Sequence, residues 1–89
     1  MSSPNVAVIG GGSWATAIVK MLSNNVSAVH WWLRNEETVQ FIRRYSHNPN
    51  YLSDVQMDLT IVKPSSDISV VIRSTDIVVL AIPAAFLSS

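Results

Sequence analysis

Asn5-Val6-Ala7-Val8-Ile9-Gly10-Gly11-Gly12-Ser13-Trp14-Ala15 is the stretch on which the reading of this chain turns. Its first five residues form a short apolar run rich in β-branched side chains, the composition of a buried strand. Three glycines then allow a tight turn. Ser13 is a helix-capping residue. Beyond it Trp14, Ile18, Met21 and Leu22 recur at helical spacing, with Ala15 and Val19 beside them, while Thr16 and Lys20 point elsewhere. The stretch therefore predicts strand, glycine turn and amphipathic helix in succession, the helix packing on a sheet. Ser23-Asn24-Asn25 supplies turn formers at its end.

Outward from there the same two patterns alternate. Ser27 to Leu33 reads as a second strand, apolar on both faces as a central parallel strand must be. Asn35 caps a second helix, with Glu36 and Glu37 at the positive end of its dipole and Arg43 and Arg44 at the negative end. Val39, Ile42 and Tyr45 are its expected apolar stripe, and His47-Asn48-Pro49-Asn50 breaks it. Tyr51 to Leu59 reads as loop. Thr60-Ile61-Val62 is expected as a short third strand stopped by Pro64. Ser66 or Asp67 caps a short helix in which Ile68, Val71 and Ile72 share a face. The β-branched run 70–72 argues against that helix, but a β-α-β order requires a crossover there. Ile77 to Ile82 is a nearly pure aliphatic fourth strand, ended by Pro83.

A β-α-β-α-β-α-β order with apolar strands implies an α/β fold with a parallel sheet, helices on its faces and right-handed crossovers. The expected strand order is 3-2-1-4, a Rossmann-type sheet with its switch point between strands 1 and 4, where ligands bind at the strands' C-terminal ends.

Composition narrows the partners. The 89 residues are 48 % hydrophobic and 13 % charged, with six basic residues against six acidic ones. A chain this apolar collapses, and one this evenly charged has no electrostatic footprint for nucleic acid or an anionic membrane surface. The absence of cysteine removes disulfide scaffolds, cysteine-based metal sites and thiol nucleophiles, and fits a reducing cytoplasm. The start of the chain has no basic n-region, and the longest apolar run, Ile77 to Leu87, contains Pro83 and falls short of the roughly 18–20 residues that span a bilayer. The expectation is a cytoplasmic protein without membrane insertion. Charge is low for a free-standing surface, which suggests a piece of something larger.

Gly10-Gly11-Gly12-Ser13-Trp14-Ala15 fits G-x-G-x-x-G/A, the turn that binds a dinucleotide pyrophosphate. The first glycine permits the turn, the second lets the backbone approach the phosphates, and a small third residue lets helix and strand pack closely. The helix N-terminus offers free amides and a positive dipole end. A P-loop is excluded, since no Gly-Lys-Ser/Thr follows. About 20 residues past the glycines, where NAD-binding domains tend to carry an acid for the ribose 2′-hydroxyl, this chain has Arg34 and then Asn35. A guanidinium suits a 2′-phosphate, so NADP is the expected cofactor, with NAD possible. Ser13 is no nucleophile, because Gly-x-Ser-x-Gly is not present. His30, His47 and the scattered Asp54, Asp58, Asp67 and Asp76 form no metal set or acid–base pair, and Asp67 is better read as a helix cap. Trp31 and Trp32 are expected to pack on opposite faces of the second strand. Trp14 either shields a cofactor or packs in the core.

The series Gly10 to Ala17, Trp32-Leu33-Arg34-Asn35, Asn48-Pro49-Asn50-Tyr51-Leu52 and Ala81-Ile82-Pro83-Ala84-Ala85-Phe86-Leu87 resembles the N-terminal part of NAD(P)-dependent glycerol-3-phosphate dehydrogenase over nearly the whole chain. The resemblance implies reduction of dihydroxyacetone phosphate to sn-glycerol 3-phosphate, feeding phospholipid synthesis, by a full-length homodimer. It implies cofactor contacts from Gly10, Gly11, Gly12, Ser13, Trp14, Ala15, Arg34, Asn35 and Phe86. Ala15 departs from the family's third glycine, and Ser53-Asp54 from its Pro-Gly. The family's substrate-binding lysine after strand 5 and its catalytic lysine in a helical C-terminal domain have no counterpart in residues 1–89; Lys20 and Lys63 match neither. The expectation is a truncated cofactor-binding piece, inactive alone, with no catalytic and no metal-binding residue. Two alternatives remain: a nucleotide-binding regulatory module without chemistry, and a related hydroxyacid or sugar-phosphate dehydrogenase.

Overall fold

The computed structural model describes residues 4–49, 56–73 and 75–81. Four strands, β1 (Asn5–Ile9), β2 (Ala28–Trp32), β3 (Val62–Ser65) and β4 (Ile77–Leu80), alternate with three helices, α1 (Ser13–Ser23), α2 (Glu36–Tyr45) and α3 (Ile68–Arg73). The sheet is wholly parallel, in the order β3-β2-β1-β4 expected from the sequence. Ile9 stands opposite Trp32 and Leu80 in register, so β1, β2 and β4 end together along one margin of the sheet.

Each face of the sheet has its own core. One gathers Val8, Val29, Trp31, Leu33 and Val62 of the sheet with Ala15 and Val19 of α1 and Val39 and Ile42 of α2. The other is smaller: Ala7, Ile9 and Val71, with Trp32 packed against them. Trp31 and Trp32 thus lie on opposite faces, because successive side chains of a strand alternate.

Five local expectations need correction. Ser13 does not cap α1. Gly12 is the N-cap, in an extended conformation without a side-chain bond, and its carbonyl already accepts from the Thr16 amide; Ser13 is therefore the first helical residue. The buried face of α1 is also rotated from the expected one: Ala15, Thr16, Val19 and Ser23 are buried, while Trp14 is 71 % and Met21 59 % exposed. The buried hydroxyls are both satisfied, Ser23 by the Lys20 carbonyl and Thr16 by the Gly12 carbonyl and the Asn48 amide, partners that apolar periodicity does not register. Pro64 lies inside β3 and does not stop it. The Ile61 and Ser65 carbonyls accept from the Val29 and Leu33 amides, so alternation turns Pro64 toward the outer edge, where a missing N–H costs no ladder bond. Of the face assigned to α3, only Val71 is buried; Ile68 and Ile72 are exposed. Similarly, Tyr45 lies half-exposed at the end of the α2 stripe.

Other elements follow their chemistry. The Asn35 side chain accepts from the Glu37 and Thr38 amides and caps α2, which closes on Ser46 in the left-handed conformation (φ 65°). The Asp67 carboxylate accepts from the Ser69 and Val70 amides at the start of α3, and so overrides the strand preference of 70–72. Among the described residues β4 pairs with β1 only, and its Ile77, Val78 and Leu80 are exposed. No described helix is long and apolar enough to cross a membrane. The expected end of the fourth strand at Ile82 lies outside the described residues, as does Tyr51 to Val55 of the expected loop.

Candidate functional site

The glycine turn sits at the C-terminal margin of the sheet, at the β1–β4 switch point. Gly10 is held there at both backbone groups. Its amide donates to the Trp32 carbonyl at 3.1 Å, and its carbonyl accepts from the Trp31 indole Nε1 at 2.6 Å. Its φ of 139° lies in a region that side chains rarely adopt, so the first glycine of the motif is required by the turn itself. Gly12 differs. Its φ is −80°, and a Cβ built there meets nothing within 4 Å. Nothing among the described residues excludes a side chain at Gly12, whereas a group approaching the backbone from outside would.

The next two carbonyls are also engaged. The buried Asn48 side chain donates through Nδ2 to the Gly11 carbonyl at 3.2 Å and to the Thr16 hydroxyl at 3.1 Å. The Thr16 hydroxyl donates in turn to the Gly12 carbonyl at 2.8 Å. The amides of Ser13, Trp14 and Ala15 belong to the first turn of α1, which has no preceding carbonyls for them, and the Gly12 cap brings no side chain. Free amides and a positive dipole end therefore meet beside Gly12, the arrangement that accepts phosphate oxygens. Ala15 is fully buried, consistent with a third motif position that must be small for α1 to approach the sheet.

Leu33, buried, donates its amide to the Ser65 carbonyl. Arg34 and Asn35 then leave the same sheet margin, both exposed. The Asn35 Oδ1 is occupied by capping α2. Glu36 accepts from the Ser66 hydroxyl and from Gln40. The Ser66 bond first, then that from Gln40, holds its carboxyl below the ordinary value, with a smaller contribution from Arg43. Arg34 and Glu36 bracket Asn35 in the turn after β2. Trp14, exposed beside the glycine turn, is not a core residue. Phe86 lies outside the described residues.

His30, within β2, is held below the ordinary histidine value by burial and, secondarily, by Lys63. No group of three or more metal-ligating side chains occurs among the described residues. Lys20 donates to the Gln56 carbonyl at 2.9 Å and Lys63 to that of Thr60 at 3.5 Å.

Residues 5–89 match the family model of the NAD-dependent glycerol-3-phosphate dehydrogenase N-terminus. The chain belongs to that family. It is 36 % identical over 80 residues to the glycerol-3-phosphate dehydrogenase [NAD(P)+] of Corynebacterium aurimucosum, covering 90 % of this chain and 24 % of that protein. It is 37 % identical over 82 residues to the enzyme of the same name from Pseudomonas savastanoi pv. phaseolicola, covering 92 % and 24 %. The crystal structure of glycerol-3-phosphate dehydrogenase from Coxiella burnetii superposes with a TM-score of 0.79 at 22 % identity, over 88 % of this chain and 24 % of that one. The fold is thus that of the start of a Rossmann-type domain, and the chain spans about a quarter of the length of these relatives.

The sequence reading singled out the glycines, Ser13, Trp14, Ala15, Arg34 and Asn35, and the structure brings these to one margin. It missed Trp31, Asn48 and Thr16, which hold the glycine carbonyls. Asn48 stood within a block that resembles the family, but nothing in its neighbours says that its amide reaches a turn 37 residues earlier.

Proposed function

We propose that the chain is the cofactor-binding portion of a glycerol-3-phosphate dehydrogenase. The complete enzyme reduces dihydroxyacetone phosphate to sn-glycerol 3-phosphate in the cytoplasm, as a homodimer. The observation that carries this reading is the open glycine turn at the switch point: a Gly12 whose Cβ position meets nothing among the described residues, beside the first-turn amides of a helix whose cap brings no side chain. The residues present fit a dinucleotide. Gly10, Gly11, Gly12, Ser13, Trp14 and Ala15 would hold the pyrophosphate through backbone amides. Arg34 and Asn35 would lie toward the adenosine ribose. The bound nicotinamide supplies the hydride; this portion of the protein positions it. Arg34 at the end of β2 favours NADP over NAD, and Phe86 is carried as a further contact on the family resemblance alone.

The test is titration of the full 89-residue chain with NADPH and with NADH, read by quenching of tryptophan fluorescence, to which the exposed Trp14 contributes. Saturable binding of either cofactor supports the reading. A folded chain that binds neither overturns it.

A further inference from the structure

Three successive carbonyls of the glycine turn are each gripped by a side chain from a different part of the fold. Gly10 is gripped by Trp31 of β2, Gly11 by Asn48 of the segment after α2, and Gly12 by Thr16 of α1. A trans peptide unit is planar, with its N–H antiparallel to its C=O, and none of the peptide bonds among the described residues is cis. Drawing the carbonyls of Gly10, Gly11 and Gly12 into the protein therefore turns the amides of Gly11, Gly12 and Ser13 the opposite way. Each amide thus points away from the side chain that holds its carbonyl, that of Gly11 from Trp31, that of Gly12 from Asn48 and that of Ser13 from Thr16.

We propose that Asn48, acting with Thr16, is a positioning residue for the dinucleotide pyrophosphate: it sets the orientation of the glycine-turn peptides and so aims their amides at the ligand. The assignment rests on the reading of the chain as a dinucleotide-binding portion. Glycine peptides are the ones most free to flip, since neither φ sign is penalised, and a flipped Gly11–Gly12 peptide would present a carbonyl oxygen to a phosphate. Asn48 opposes that flip. Its Nδ2 carries two hydrogens; one holds the Gly11 carbonyl and the other the Thr16 hydroxyl, whose own proton is thereby left for Gly12. A buried carbonyl in place of that amide could make neither bond, so the orientation of the Asn48 side chain is determined by its partners. Full burial of Asn48 and Thr16 keeps water from substituting for either.

Asn48→Asp keeps the shape and removes the donor. The carboxylate would face the Gly11 carbonyl oxygen and take the Thr16 proton away from Gly12. Thr16→Val removes the hydroxyl isosterically, and Thr16→Ser restores it. Affinity for NADPH and for adenosine, which has no phosphate, is measured on the full chain by NMR or fluorescence titration at a temperature where each variant is folded. The expected result is an NADPH affinity at least tenfold weaker in Asn48→Asp and Thr16→Val, with adenosine affinity within twofold of wild type and Thr16→Ser close to wild type for both ligands. A merely structural role would weaken both ligands together, and that outcome overturns the proposal, as does an unchanged NADPH affinity in a folded variant. If Asn48→Asp does not fold, the Thr16 pair decides by the same criteria. A folded wild-type chain that binds no NADPH instead removes the dinucleotide reading on which the proposal stands.

Discussion

Gly10 and Gly12 are two residues apart in one turn, yet alanine should act on them in opposite ways. At Gly12, φ is −80° and ψ −173°, extended backbone open to any residue, and the added Cβ meets nothing within 4 Å. Alanine narrows the unfolded ensemble, a gain of about 0.4–1 kcal/mol. It is a poorer N-cap than glycine by a similar amount, on the order of 0.5–1 kcal/mol. The two nearly cancel, so Gly12→Ala should change stability by less than about 1 kcal/mol, a Tm shift below about 4–8 °C for a domain of this size. At Gly10, φ is 139°, and alanine stores backbone strain of about 1–3 kcal/mol, so its Tm should fall clearly further.

Binding should respond differently again. The Gly12 methyl would project beside the Gly12 and Ser13 amides. Displacing one charge-assisted bond to a phosphate costs about 1.5–3 kcal/mol, or roughly one to two decades of affinity. Gly12→Ala is therefore expected to melt near wild type by circular dichroism while losing at least tenfold in NADPH affinity by fluorescence titration. A folded Gly12→Ala that binds NADPH as wild type does would refute the reasoning, because the open space beside Gly12 would then have no connection with a ligand. A Tm as low as that of Gly10→Ala would refute its stability half.

Arg34→Asp should reverse a preference for NADPH over NADH of about one to two decades; titration with both cofactors checks it, and an unchanged ratio would make Arg34 a bystander. The His30 imidazole should titrate below 6.5 by NMR, and Lys63→Gln should raise it only in part, since burial is the larger cause. Because its folded pKa is depressed, the stability contributed at His30 is complete above 6.5 and declines as pH falls through that value toward the folded pKa; His30→Gln should flatten that slope in pH-dependent melts. The 89-residue chain should not oxidise NADPH with dihydroxyacetone phosphate: among the described residues both lysines bond to carbonyls remote from the glycine turn, and turnover in a spectrophotometric assay would contradict this.

The order and sense of the sheet were legible because they rest on signals that are local and repeated. Val6, Val8 and Ile9 before three glycines, or Asn35 before Glu36-Glu37, each specify an element within a few residues. The crossover rule then leaves little choice of topology. The α3 helix was legible only through that rule, against the preference of Val70, Val71 and Ile72; Asp67 supplied the local compensation. The rotation of α1 was not legible. An apolar stripe through Trp14 and Met21 is as periodic as the true one, and what decides between them is whether Thr16 and Ser23 find partners. Ser23 donates to the Lys20 carbonyl within its own helix and Thr16 to that of Gly12 at the helix cap, but the donor that Thr16 accepts from is Asn48, 32 residues away. Pro64 was misread for a related reason: proline ends a central strand but not an edge strand facing outward, and edge position is a property of the whole sheet.

The same distinction explains which part of the site the sequence could reveal. The groups offered to a ligand are backbone amides, and a motif made of glycines announces them by what it lacks. The groups that orient those amides are side chains, and they announce nothing until register is known. The pairing of Ile9 with Trp32 carries the neighbouring Trp31 indole to the Gly10 carbonyl, and the left-handed Ser46 turn after α2 precedes Asn48 on its way to Gly11. Only proline deletes an amide, and it fixes φ at the same stroke, so the turn itself offers mutation few clean handles beyond adding a methyl. Its dependence on sequence has been moved outward, to Trp31, Asn48 and Thr16, and loss of binding without loss of fold should be sought at the latter two before it is sought in the glycines.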